Sequence, residues 1–183
     1  SSPLRLPANT EEFMQSIKLT ACYTYRSLAT AEICVDPDPR SRRVQEKICT
    51  MSPVSPGGQG APIVVTHVEP IVSQNDLRLN IEFTNQGDGV PFDRTLSNAE
   101  CFADLDKYSD VNKVDVIRVE FSGNRLDCEP SNPVRLINGV GKAVCHCRGC
   151  VHEYQDAYET LVTMELAYGY RNEELKRVRI LSE

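Results

Sequence analysis

The 183-residue sequence contains no tryptophan, only three histidines and only three methionines. No apolar run approaches the roughly 18–20 residues that a membrane-spanning helix needs. Cations are in deficit: Lys and Arg number 20 against 26 Asp and Glu, a formal net charge of −6. That balance argues against nucleic acid, whose binding requires surplus cations to displace counterions from phosphate. It argues equally against docking on anionic lipid. No Asn-x-Ser/Thr glycan acceptor occurs. Neither a Gly-x-Ser-x-Gly elbow nor a His-Glu-x-x-His motif is present. Gly57-Gly58-Gln59-Gly60 lacks the Lys-Ser/Thr of a phosphate-binding loop and reads as linker. The chain also lacks a strand–helix–strand rhythm, which disfavours Rossmann and barrel enzymes. These absences lead to the expectation that the protein is not an enzyme.

What is abundant is cysteine. There are eight, in a chain of 20.5 kDa that is long enough to bury a core without staples. An even number in a β-rich chain points to four disulfides and an oxidising compartment. Eight cysteines allow 105 connectivities, so position must suggest the pairs. Cys34 and Cys49 flank an Asp-Pro-Asp-Pro loop. Cys128 and Cys145 flank Asn138-Gly139, and Cys22 with Cys101 would tie the N-terminal segment to the later domain. The opening Ser1 to Pro7 has no apolar h-region. The expectation is therefore a mature secreted chain or an ectodomain, reaching a membrane only through an anchor outside this sequence.

The hydrophobic pattern has period two almost throughout. Ile17, Leu19, Ala21, Tyr23 and Tyr25 alternate with polar residues, and Ala31, Ile33 and Val35 keep the same parity. Leu77 to Thr84 alternates strictly, as a strand with one buried and one wet face should. Further strands are expected at Ile63–Val68, at Val114–Phe121 and in Val162 to Tyr170, whose alternate residues share one face. Arg171 to Glu174 is expected to turn and Leu175 to Leu181 to return. Val134–Ile137, Asn138-Gly139 and Val140–Cys145 read as a hairpin with a type I′ turn. Asn85 to Gly89 reads as a turn using φ > 0, and Asn9 to Phe13 as a short capped helix. The expected fold is all-β: a disulfide-stabilised, immunoglobulin-like β-sandwich with an N-terminal β extension or subdomain. Its divisions are an arm at 1–16, a β segment at 17–56 and the sandwich at 57–183.

One segment is chemically loaded. Cys145, His146, Cys147, Cys150 and His152 place three thiols and two imidazoles within eight residues. Three readings stand. Cys147 and Cys150 form a local disulfide while Cys145 pairs elsewhere; or the five residues hold zinc; or Cys147-x-x-Cys150 is redox-active. A tetrahedral zinc site usually joins two ligand pairs across a longer loop, and a redox Cys-x-x-Cys needs a helix N-terminus to acidify its thiol. The first reading leads, so no cofactor is expected. Haem attachment fails because Val151 separates Cys150 from His152. Asp104, Asp106 and Asp110 gather three carboxylates, but Tyr108 occupies a ligand place of an EF-type loop and no glycine follows. The tyrosines Tyr23, Tyr25, Tyr168 and Tyr170 are expected in core or rim rather than on a ligand platform.

The strand running into Glu82-Phe83-Thr84-Asn85-Gln86-Gly87-Asp88-Gly89 resembles the CARDB type of immunoglobulin-like domain, where a strand closes in an Asn-x-Gly turn. More widely, Cys22 to Tyr25, Ala29 to Pro37, Gly57 to Pro62, Cys128 to Ser131 and Tyr168 to Tyr170 are similar to a group of archaeal cell-surface proteins. The resemblance covers most of residues 17–181. Cys147 and Cys150 fall outside it. It implies an extracellular or cell-surface module for structure or adhesion, with protein partners or copies of itself. A specific expectation is that the strand Ile17–Tyr25 adds to a neighbour's sheet and builds a filament. The alternative is a metal-binding or redox-active exported protein centred on Cys145 to His152.

Overall fold

The computed structural model describes residues 12–38, 47–103, 105–106, 108–152 and 156–181. Ten strands and one short helix follow in chain order: β1 (Glu12–Val35), β2 (Ile63–Ser73), β3 (Asp76–Asn85), β4 (Val90–Phe92), α1 (Asn98–Phe102), β5 (Lys113–Phe121), β6 (Asn124–Arg125), β7 (Asp127–Glu129), β8 (Val134–Arg135), β9 (Val140–Cys147) and β10 (Tyr158–Leu181). They form two antiparallel sheets. The first has the order β1-β10-β5-β6, with β4 added to β10 and β8 to β5; the second runs β2-β3-β9-β7. The chain is the disulfide-stabilised β-sandwich that its period-two pattern predicts.

Alternation decides which residues enter the core. Along β3, Leu77, Leu79, Ile81 and Phe83 are buried while the residues between them are not. They meet Ala29, Ile33 and Val35 of β1 and Val162, Met164, Leu166, Tyr168 and Tyr170 of β10 in one continuous cluster. A single core thus crosses the expected division at 56/57, and β1 runs through the one at 16/17 as a continuous strand. The N-terminal β segment extends the sandwich rather than owning a core.

Three local expectations are corrected. The helix expected at Asn9 to Phe13 does not form at its described end: Glu12 and Phe13 begin β1, paired with Leu181 and Ile180, and residues 9–11 lie outside the described residues. The turn expected at Arg171 to Glu174 does not form. This stretch has no glycine or proline, and β10 runs straight through it with Arg171–Glu174 opposite Cys22–Leu19. The Asn138-Gly139 turn does form, with positive φ at both residues and Ile137 bridged to Val140. Its first arm then leaves: Val134 and Arg135 pair with β5 in the other sheet.

Candidate functional site

The outstanding feature is the pairing of β1 with β10, which runs without a bulge from Glu12↔Leu181 to Val35↔Tyr158. β10 also pairs with β5 through Val162–Ala167 and with β4 through Gly169–Arg171. Beyond that, among the described residues, Asn172–Leu181 pairs only with Glu12–Ala21. These ten residue pairs form a two-stranded arm that projects roughly 30 Å past the sandwich. Opposite residues of an antiparallel pair share a face. One face of the arm carries Phe13, Ile17, Leu19 and Ala21 with Val178 and Ile180, interrupted by Gln15, Asn172, Glu174 and Lys176. It continues the core-facing side of the sheet, but among the described residues no second sheet lies over it. Phe13, Ile17 and Leu19 are exposed. The other face mixes exposed Met14, Leu175 and Leu181 with charge, Lys18 bonding to Glu173 at 2.8 Å and Arg179 lying near Glu12 at 3.7 Å. The Lys18 hydrogen bond, then Arg171, holds the Glu173 carboxyl below the usual range.

The sheet order leaves β1 at an edge for all its 24 residues. Among the described residues no strand pairs with its outer side. Long edges are usually blunted by proline, bulges or charged side chains. β1 contains no proline and has no register shift, and its charges are confined to Glu12, Lys18, Arg26 and Glu32.

Where the arm leaves the sandwich, four tyrosines form its root. Tyr25 stacks on Tyr168 with centroids 5.7 Å apart, and Tyr23 lies tilted against Tyr170 at 5.9 Å. Their hydroxyls tie the first sheet to the second. The Ile63 N–H donates to Tyr168 Oη at 3.2 Å, and Ser27 Oγ, 2.8 Å from Tyr168 Oη, donates to the Ile63 carbonyl at 3.0 Å. Tyr170 Oη donates to Asn85 Oδ1 and accepts from the Gly89 N–H, both at 3.0 Å. Burial raises the pKa of both Tyr168 and Tyr170. The Asn85–Gly89 turn needs its glycines for this contact rather than for φ > 0. Neither Gly87 nor Gly89 has positive φ, and a Cβ at either would strike the Tyr170 ring or hydroxyl.

The outer face of the root is clamped by α1. Cys22 is disulfide-bonded to Cys101, and Arg171, opposite Cys22, donates to the carbonyls of Cys101 and Ala103 at 3.3 and 3.2 Å. Sequence reasoning misses α1, although Ser97-x-x-Glu100 is a capping-box signal. Glu100 Oε2 accepts from the Ser97 N–H at 2.7 Å and Ser97 Oγ accepts from the Glu100 N–H at 3.3 Å.

The remaining cysteines pair as Cys34–Cys49, Cys128–Cys145 and Cys147–Cys150. β9 separates the loaded segment by alternation. Cys145 and Cys147 point into the core, whereas His146 is exposed on the opposite face beside Asp127, its cross-strand partner. His146, Cys147, Cys150 and His152 border an open polar depression of about 830 Å³ with Arg125, Asp127 and Glu129. Among the described residues no three His, Cys, Asp or Glu side chains converge as a metal site would require. In the acidic turn, Asp106 Oδ1 accepts from the N–H groups of Tyr108 and Ser109 at 2.7 Å each. Asp104 lies outside the described residues.

The chain matches no family model, no curated protein and no solved structure. Four disulfides suit an oxidising, extracellular environment. Among the described residues no helix is long and apolar enough to cross a membrane.

Proposed function

We propose that the protein is a non-enzymatic structural module of the cell surface or extracellular space that assembles through the β1–β10 ribbon. The observation that carries this reading is the ribbon itself. A 24-residue edge strand with no proline or glycine offers an unblocked row of backbone donors and acceptors for strand addition. Ile17–Tyr25 is already paired within its own chain, with Tyr168–Lys176. Its free side, rather than the strand as a loose donor, is what a neighbour adds to. Four disulfides fit a module that must last outside the cell, and the resemblance to CARDB-like surface proteins agrees with this role.

Light scattering and electron microscopy over rising concentration test the reading. The expected result is self-association, to dimers or beyond, inhibited by a synthetic peptide of residues 12–25 that caps the open edge. A chain that remains at 20.5 kDa under all conditions overturns it.

A further inference from the structure

The apolar face of the arm presents a separate problem from the edge of β1. A two-stranded ribbon is at best marginally stable in water on its own, and here the face that should be buried is open. We infer that a second copy of the chain covers it, the two arms packing face to face about a two-fold axis that crosses the ribbon at the level of the Lys18↔Leu175 pair. This rests on the reading of the ribbon as an assembly element and names its partner and contact surface.

The face is complementary to itself. Its only two charged residues, Glu174 and Lys176, are adjacent on it, 4.0 Å apart and 72% and 69% exposed. A two-fold axis midway between them sets Glu174 of one copy against Lys176 of the other, and the reverse. An axis through either residue would oppose like charges instead. The same axis brings Ile17 against the second copy's Leu19. Phe13 at the tip and Tyr23 at the root are each five residues from Lys18, so each tip reaches the other's half-buried root tyrosine. In this arrangement the two sandwiches lie at opposite ends of the paired arms. Ten residue pairs present roughly 300–400 Å² of face. The contact therefore buries roughly 600–800 Å² in total, below the roughly 1,200–2,000 Å² of a standard interface. That size fits a reversible dimer.

Sedimentation of the intact chain from about 1 to about 300 μM tests the inference. The expected result is a reversible equilibrium between 20.5 kDa and twice that mass. Lys176→Glu sets acid against acid twice per dimer and should weaken association by about tenfold or more. Adding Glu174→Lys to it exchanges the charges and should restore affinity to within about threefold of the original. Leu19→Ser should weaken association as well. Circular dichroism and an absence of free thiols confirm that each variant is folded. If association persists and neither Lys176→Glu nor Leu19→Ser changes it, the face is not the contact and this inference fails, while assembly through the β1 edge stands. If the unmodified chain is monomeric throughout the range, the inference and the proposed self-assembly both fail.

Discussion

The ribbon of β1 and β10 has two halves with one backbone and opposite surroundings. From Tyr23 to Val35 and Tyr158 to Tyr170 its inward side chains lie under a second sheet, with Ile33, Val35, Val162, Tyr168 and Tyr170 no more than 1% exposed. From Glu12 to Ala21 and Asn172 to Leu181 the register is unchanged, yet Leu19 is 59% exposed. Backbone pairing is thus not what distinguishes a core sheet from a projecting arm. The difference is whether anything covers the apolar face. In the inner half, burial supplies the stability; in the outer half, only cross-strand contacts do, each worth roughly 0.2–1 kcal/mol.

The strongest way to break this comparison is to cut the clamp where the halves join. Cys22–Cys101 spans 79 residues of sequence, and in the chain-entropy model a loop of that length contributes about 4–5 kcal/mol. Replacing both cysteines by alanine should lower stability by up to that amount and, uniquely, accelerate amide exchange through the arm. Removing Cys147–Cys150, with a separation of 3, should cost only about 2 kcal/mol by the same relation and leave the arm unchanged. Denaturant unfolding with hydrogen exchange separates the two. Equal effects would mean that α1 does not hold the arm.

Matched truncations come next. Tyr168→Ala opens a cavity in the root and removes the hydroxyl that links the sheets, and should cost about 3–5 kcal/mol. Leu19→Ala, on the same face of the same ribbon, should change monomer stability by no more than about 0.5 kcal/mol at low concentration. A comparable loss at both sites would show that something in the monomer covers the arm. Ser27→Ala is subtler. It leaves Tyr168 without its buried hydroxyl partner and should cost about 1–2 kcal/mol, measurable as a lower unfolding midpoint with unchanged m-value.

Much of the sandwich is legible in the amino-acid sequence alone. The alternation of Leu77 to Thr84 defines β3 because one buried face imposes period two. Cys34–Cys49, Cys128–Cys145 and Cys22–Cys101 are suggested by what they flank or join, and the Asn138-Gly139 turn by its tolerance of positive φ. The arm is only partly legible: Ile17 to Tyr25 and Leu175 to Leu181 read as strand, but the continuity of β10 through Arg171 to Glu174 does not. Arg171 to Glu174 is as polar as a turn, and a strand exposed on both faces carries no burial signal to contradict that reading. What holds it extended is its partner about 150 residues away, as in Cys22↔Arg171, and no local window contains both. The loaded segment misleads for a related reason. Proximity in sequence suggests convergence, whereas a strand sends neighbours to opposite faces, placing His146 outside and Cys145 and Cys147 inside.

The smallest effect concerns the charges on the arm's other face. The Glu173 carboxyl lies below its usual range because Lys18, then Arg171, stabilises the charged form. A lowered pKa in the folded arm means that the pairing gains from ionisation. The gain is present above the unfolded value of about 4.3 and is lost as pH falls through the lowered folded value. Because Glu173 is at the surface, salt should screen the effect. Nuclear magnetic resonance of the dilute monomer should therefore show the Glu173 carboxyl signal titrating with a midpoint under about 4.3, moving toward it as salt is added. Glu173→Gln should abolish that titration while leaving the β3 signals unmoved. A midpoint at or above the ordinary glutamate value would mean that the two strands of the arm separate in solution, and the outer half of the ribbon would then be ordered only when a second copy covers it.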